Sequence, residues 1–262
     1  IAGSVLAVEA NIAHQFQDAL FALLFLFQAL FLGGSSLIFV AMFFHISDEP
    51  NATHLEQYSK SKAIVADILK DYIIMDALSN FEFYQQGVVK TPIPSSNHIK
   101  PFIEAGVENL WTYYCISQYK DVSNTFVAMP SQRTRIIGVQ MFKYDIVGFL
   151  QWGFNFYYNR FSRAMINPFL VNDGDYFGPA GDPFSVYPAP DGTAISSLRA
   201  ALFEQALFDM RAMKLAEKVS GREAVITAID QCGKVDFRHY PKTPEYLLNL
   251  REQINRMCVK KK

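Results

Sequence analysis

Two carboxylates stand side by side in the run H-I-S-D-E-P, residues 45–50: Asp48 and Glu49. They follow 26 residues, 19–44, without a formal charge. Successive side chains of a strand point to opposite faces. An adjacent acid pair can therefore share one site only where a strand is ending, and Pro50 marks that end. At such a place one carboxyl can sit in an apolar, partly dry spot with its pKa raised while its neighbour stays ionised. That split supplies an acid and a charge stabiliser, the two roles that glycoside hydrolysis needs. The plainer reading is a helix start, with Asp48 as N-cap and Glu49 in the first turn. Sugars also present apolar C–H faces that stack on rings, and hydroxyls that need polar partners. Trp111, Tyr113, Trp152, Asn155 and Tyr157 match that demand by type, although each taken singly fits a core as well.

The elements that must position these residues follow from the apolar pattern. Residues 37–46 read as a strand buried on both faces. Residues 51–70 read as a helix, with Leu55, Tyr58, Lys62, Val65 and Leu69 near helical spacing. Short strands fit 72–77 (YIIMDA), 109–115 (NLWTYYC) and 147–152 (VGFLQW), and 92–97 is a brief extended piece. Helices fit 79–87, 98–105 with Gly106 as a stop, and 130–145 with proline in the first turn. Five strands alternating with helices predict βα units and a parallel sheet. Polar and aromatic residues collect just after the strands: Asp48 and Glu49, Asp76, Asn97 and His98, Tyr113 and Tyr114, Trp152 and Asn155. In a βα barrel the carboxyl ends of the strands carry the active site.

Residues 159–193 are rich in Gly, Pro, Asp and Asn, yet hold Phe169, Tyr176, Phe177, Phe184 and Tyr187. A loop this long is functional or disordered, and its aromatics favour order. Three helices follow: one from a Ser196 or Ser197 cap to about Val219, one over 222–232 closed by Gly233, and one opened by a Thr243 cap with Pro244 at its first position. A complete eight-stranded barrel takes about 250 residues, so length alone permits one. The strand count does not, because only five strands precede the helical 196–262. The expected fold is therefore α/β: the C-terminal part of a (β/α)8 TIM barrel, about five βα units, followed by a C-terminal helical segment. The expected division is 1–36 as an apolar helix and turn leading into the barrel, 37–195 as a partial barrel carrying the catalytic groups and the loop 159–193, and 196–262 as helices packing on it.

Composition excludes several other classes. The 262 residues carry 24 basic and 25 acidic side chains, a net charge of −1, so no basic footprint for nucleic acid is present. Three widely spaced cysteines, Cys115, Cys232 and Cys258, form no C-x-x-C, and neither a zinc site nor a disulfide framework is signalled. Cys115 reads as a buried small hydrophobe. The uncharged stretch 19–32 is short of the roughly 18 continuous apolar residues of a membrane span, and Gly33-Gly34-Ser35-Ser36 interrupts it. It reads as a buried helix, with a membrane-associated hairpin or anchor as the second reading, because no polar stripe is evident. No basic run precedes it, so no signal peptide is read, and soluble cytoplasmic and exported locations both stay open. Oligomeric state has no signature.

GFLQWGFNFY (148–157), GDPFSVYPAPDG (181–192) and SLRAALFEQALFDMRAM (197–213) together resemble the C-terminal region of glycoside hydrolase family 123-like proteins, also known as domain of unknown function 4091. FHISDEP resembles the family's fourth barrel strand with its Asp-Glu pair. The likeness runs over about 37–258. It departs at Ala189, where the family's turn has Gly, and at Ala206-Leu207-Phe208 before Asp209, where the helix motif has Gly. The family's first three strands and N-terminal β-sandwich have no counterpart here, so an N-terminally truncated chain is expected. The resemblance implies a retaining β-N-acetylhexosaminidase that prefers β-linked N-acetylgalactosamine and is assisted by the substrate's own acetamido group. By position, Asp48 orients that group and Glu49 is the acid and base. Tyr113, Trp152 and Asn155 are candidates for the sugar pocket and Tyr187 for its rim. No metal or organic cofactor is implied, and the partner is a glycan ending in N-acetylhexosamine. The alternative is a non-catalytic carbohydrate-binding or structural module of the same fold.

Overall fold

The computed structural model describes residues 43–259. The helix and turn expected over 1–36, and most of the strand expected over 37–46, lie outside the described residues. The described end of that strand is β1, Phe43–Phe44. After it come β2 (Ile73–Ala77), β3 (Thr91–Ile93), β4 (Trp111–Tyr113) and β5 (Gly148–Leu150). Their pairings are parallel: Phe43 lies opposite Ile73, Met75 opposite Thr91, and Trp111 opposite Gly148. A single parallel bridge, Ser95 to Tyr113, carries β3 over to β4. The five strands thus follow one another in chain order, as the alternation predicts. Among the described residues the series stays open and no closed barrel forms.

Strand alternation sorts the side chains. Met75, Ala77, Ile93, Tyr113 and Leu150 gather on one face, with Phe43, Trp111 and Cys115 packed against them. Phe149 turns the other way and joins the helix-side core with Tyr58, Phe83, Phe102, Ile137 and Met141. Glycine at 148 is required by close approach: a Cβ there would lie 2.1 Å from the Trp111 ring.

Between the strands run α1 (Leu55–Val65), α2 (Glu82–Gln85), α3 (Lys100–Glu104), α4 (Gln132–Arg135) and α5 (Ile137–Lys143). A 3-10 turn, Ala52–His54, leads into α1, and its cap is Asn51, whose side chain accepts the Thr53 N–H at 2.9 Å. The helix-cap reading of Asp48 is thereby corrected. Pro50 separates the acid pair from the helix, and the cap falls one residue beyond the proline.

The expected loop 159–193 ends in a strand that the pattern did not reveal. β6 (Val186–Pro188) pairs antiparallel with β7 (Ala194–Ser196). The prolines in V-Y-P-A-P mask so short a strand, and the turn closes on Gly192 with φ +81°. Then come α6 (Leu198–Ser220), α7 (Arg222–Gln231) and α8 (Pro244–Met257). Ser197 caps α6, accepting the Ala200 N–H at 3.2 Å. Thr243 occupies the cap position of α8 but makes no side-chain cap bond. The three helices share a core with Ile136, Val139 and Phe142 through Met213, Val225, Ile229, Leu247, Leu250 and Ile254. No helix among the described residues is long and apolar enough to cross a membrane.

Candidate active site

The acid pair lies just past β1, where Asp48 and Glu49 are both exposed. The chain turns sharply there: Glu49 has φ +45°, a left-handed conformation that most side chains avoid. Two contacts impose it. The Glu49 N–H donates to the Ala77 carbonyl at the end of β2, at 2.9 Å. The Tyr113 hydroxyl at the end of β4 donates to Glu49 Oε1. Burial and the neighbouring Glu49 charge push the Tyr113 pKa up, so the phenol remains a donor across the working range. Cys115 Sγ lies 3.8 Å from the same carboxylate oxygen.

The carboxyl ends of β2, β3 and β4 are tied together by a polar network. Ser79 and Ser95 share a hydroxyl contact of 2.8 Å. Ser95 Oγ then meets Asn97 Oδ1 at 2.9 Å and His98 Nδ1 at 3.0 Å. Gln118 donates to Asn97 Oδ1 at 3.0 Å and accepts the Cys115 N–H at 2.8 Å. His98 has a lowered pKa through partial burial and the Arg238 charge, opposed by Glu49. The Glu49 charge is thus felt at the ends of both β3 and β4.

Past β5 lies a second group. The Trp152 ring packs on Phe156 and Phe177, with centroids 5.4 Å away in each case. Its indole N–H faces the carboxyl of Asp182, which is 1% exposed. The two fall short of hydrogen-bond geometry, and among the described residues neither Trp152 Nε1 nor Asp182 Oδ2 has a partner. Burial raises the Asp182 pKa to about 7, with the Trp152 N–H pulling the other way. The fully buried Tyr114 hydroxyl, also without a partner, feels the Asp182 charge. Cys115 feels Glu49, Asp182 and Asp48 together, which puts it between the two groups.

Of the residues singled out by sequence, Glu49 and Tyr113 are in direct contact, and Asp48 precedes Glu49 in the chain. Trp152 belongs to the Asp182 group. Asn155 is exposed and pairs through its backbone with Phe184. Tyr187 sets its ring on Phe184 and Phe169, with centroids 5.3 Å apart in both cases. No hydrogen bond or ring contact among the described residues ties Trp152, Asn155 or Tyr187 to Glu49. Asp76, which sequence order set among the strand-end polar groups, sits within β2 on the helix side, fully buried. Cys115 is half-buried: it packs at the edge of the strand core and also lies beside the Glu49 carboxylate. Asp182 and Ser95 escaped the sequence reading. The one signal for Asp182 was its place in the G-D-P-F-S-V-Y-P run.

An exposed acid pair, one member pinned by a phenol, at the carboxyl end of a parallel strand can exchange protons with a bound molecule and stabilise positive charge on it. A family model, glycoside hydrolase 123 catalytic domain, matches residues 10–216. No curated protein matches. Among solved structures, the chain is similar to a family 123 glycoside hydrolase from Clostridium perfringens, analysed for the details of glycolipid glycan hydrolysis. The TM-score is 0.57 at 16% identity, covering 97% of this chain and 45% of that one. The chain therefore spans less than half the length of that structure, and at this identity the likeness concerns fold. Because the family model covers well over half of the chain, this protein belongs to glycoside hydrolase family 123, through its catalytic domain.

Proposed function

We propose that the chain is the catalytic region of a retaining β-N-acetylhexosaminidase, with its five parallel strands as the C-terminal part of a (β/α)8 barrel. The proposed division has 1–36 leading into the barrel, 37–195 carrying the site, and 196–262 packing on it. The substrate class is a glycan ending in β-linked N-acetylgalactosamine. A glycolipid glycan is a candidate, because the clostridial relative was studied for hydrolysing such glycans.

In this reading the substrate's acetamido oxygen attacks the anomeric carbon as the glycosidic bond breaks. Glu49 gives its proton to the departing oxygen. Asp48 accepts the acetamido N–H and stabilises the positive charge of the resulting oxazolinium ring. Glu49, now a carboxylate, takes a proton from the water that attacks the anomeric carbon, and the ring reopens to the acetamide with configuration retained. This is the substrate-assisted variant of glycoside hydrolysis. Tyr113 fixes Glu49 Oε1 and leaves Oε2 to face the leaving group. Trp152, Asn155 and Tyr187 are proposed as the more distant sugar contacts.

The observation that carries the reading is the Tyr113 hydroxyl at the carboxyl end of β4 donating to Glu49 Oε1 just past β1, across the intervening strands β2 and β3. The test is hydrolysis of nitrophenyl β-N-acetylgalactosaminide by wild type and Glu49→Gln, with the N-acetylglucosamine analogue alongside. Wild type should release nitrophenol, faster from the galactosamine. Loss of the general acid should lower kcat by about 10²–10⁴-fold. Sugar binding without turnover in wild type would replace this reading with a carbohydrate-binding module of the same fold.

A further inference from the structure

β2 alternates, and between the inward Met75 and Ala77 the carboxylate of Asp76 points the other way, toward α1. It is 0% exposed. Its Oδ1 accepts the N–H of Ile46 at 2.7 Å and of Ser47 at 3.0 Å. Its Oδ2 accepts the Tyr58 hydroxyl of α1 at 2.5 Å. His45 Nδ1 stands 4.0 Å from Oδ1. A buried carboxylate is costly unless its hydrogen bonds are made. Here two of them go to the backbone immediately before Asp48 and Glu49.

That backbone needs holding. The described β1–β2 pairing ends with Phe44 opposite Ile74, so Ile46 and Ser47 have left the ladder. Asp76 takes their N–H groups, and the next residue of β2, Ala77, takes the Glu49 N–H at 2.9 Å. Residues 46–49 are thus stitched to the last two residues of β2, once through a side chain and once through a carbonyl. The left-handed Glu49 persists only because such surroundings determine it. Tyr58 closes the arrangement from behind. It is itself buried, and that burial with the Asp76 charge pushes its pKa up, so it remains a donor.

We propose that Asp76 is the positioning residue for the acid pair: its buried carboxylate fixes the backbone of Ile46 and Ser47, and so sets where Asp48 and Glu49 emerge from the end of β1. The catalytic consequence rests on the hexosaminidase reading, whereas the anchor itself does not.

The test compares Asp76→Ala, Asp76→Asn and Tyr58→Phe in the whole 262-residue chain. Two readouts are taken: amide hydrogen exchange at Ile46, Ser47 and Glu49, and kcat and KM on the nitrophenyl galactosaminide. Asp76→Ala should speed exchange at these three amides by about 10-fold or more while α6 and β4 keep wild-type rates. It should lower kcat by about 100-fold with KM within about threefold, because the acid is misplaced and the sugar contacts are not. Asp76→Asn keeps one oxygen for the two N–H groups and should recover most of both effects. If Asp76→Ala does not fold, Tyr58→Phe should still give faster exchange at Ile46 and Ser47 and a lower kcat at unchanged KM. Wild-type exchange at Glu49 in the variants, or faster exchange spread evenly over the chain, would overturn the proposal. So would faster exchange with unchanged kcat. If wild type itself does not hydrolyse the substrate, the hexosaminidase reading fails, and the exchange at Glu49 decides the anchor alone.

Discussion

The hydroxyl of Tyr113 donates to Oε1 of Glu49, joining the end of β4 to the turn after β1 across 64 residues of sequence. Burial keeps the phenol protonated, so the bond has a fixed direction. Its effect is geometric: one carboxyl oxygen is tied and the other is left to reach a bound molecule. Tyr113→Phe preserves the ring and its packing on Met75 and Leu150 but frees that oxygen. In the proposed hydrolase it should lower kcat by about 10–100-fold, in the range for a mispositioned acid–base group. Steady-state kinetics on the nitrophenyl galactosaminide checks this. An unchanged kcat would remove Tyr113 from the site.

Asp182 makes stability depend on pH. Burial holds its carboxyl near pH 7 in the folded chain, against an ordinary value of 3.8. Between those values the folded chain keeps a proton that the unfolded chain has released. Stability from this group therefore falls as pH rises from about 4 to about 7 and is level above. The full effect is of order 4 kcal/mol, a shift of about three pKa units at about 1.4 kcal/mol each. Asp182→Asn stays neutral throughout. Urea unfolding of both proteins at pH 5 and pH 8 should show the variant gaining on wild type as pH rises. A parallel pH dependence in the two would mean that Asp182 is not held protonated.

Cys115 sits beside the acid pair without the character of a nucleophile. Burial pushes its thiol up to about 12, a backbone N–H at Ser117 opposes, and the Glu49, Asp182 and Asp48 charges add to the rise. At neutral pH it is a thiol, and the thiolate is the reactive form. Iodoacetamide at pH 7.5 should leave Cys115 unmodified in the folded chain, as read by peptide mass mapping. Cys115→Ala should keep kcat within about threefold, since no covalent step passes through sulfur in the proposed substrate-assisted hydrolysis.

How much of this could be read from the residues depends on how local the cause is. The runs YIIMDA, NLWTYYC and VGFLQW carry their own strand signal, and Gly106 with φ +67° stops a helix where a left-handed residue is needed. The acid pair was legible because Pro50 marks the end of its strand. Tyr113 was legible as an aromatic at the end of another. Asp76 was visible only as a polar residue near a strand end. Its orientation depends on the pleat, and its partners depend on Tyr58 and Ile46 lying 18 and 30 residues away. The β6–β7 hairpin was hidden because two three-residue strands, the first ending in Pro188, have no periodicity to detect. Asp182 gave no local hint of burial, because that burial comes from the Trp152 loop and Tyr114.

Asp209 illustrates the same non-locality in the helical part. It is buried within α6 and accepts from Arg135 Nε at 2.6 Å and Nη2 at 2.9 Å, and from Arg251 Nη1 at 2.7 Å. One carboxylate thus joins α4, α6 and α8. Removing it leaves two guanidinium groups facing each other, with Arg135 largely enclosed. Asp209→Ala should cost about 3–5 kcal/mol of unfolding free energy, as expected for an uncompensated buried charge. Chemical denaturation measures it. A loss below about 1 kcal/mol would mean that solvent screens the arginines and that the triad is not a structural joint.

The seam between α5 and α6 rests on a missing side chain. A Cβ on Gly138 would lie 2.0 Å from the carbonyl oxygen of Ala206 and 2.6 Å from its carbonyl carbon. Both are backbone atoms of a long helix, so no rotamer change relieves the overlap. The helices would have to separate, opening the contacts that Val139 and Phe142 make in the core shared with Met213. The close approach also accounts for a small residue at 206, which is fully buried. Gly138→Ala should therefore destabilise by more than about 2 kcal/mol, although alanine is the better helix former by nearly 1 kcal/mol. Ala206→Gly in the Gly138→Ala background should recover little, because the clash is with the carbonyl group and not with the alanine methyl. Urea unfolding of the single and double variants decides it: a stabilised Gly138→Ala would show that α5 and α6 are not packed backbone to backbone.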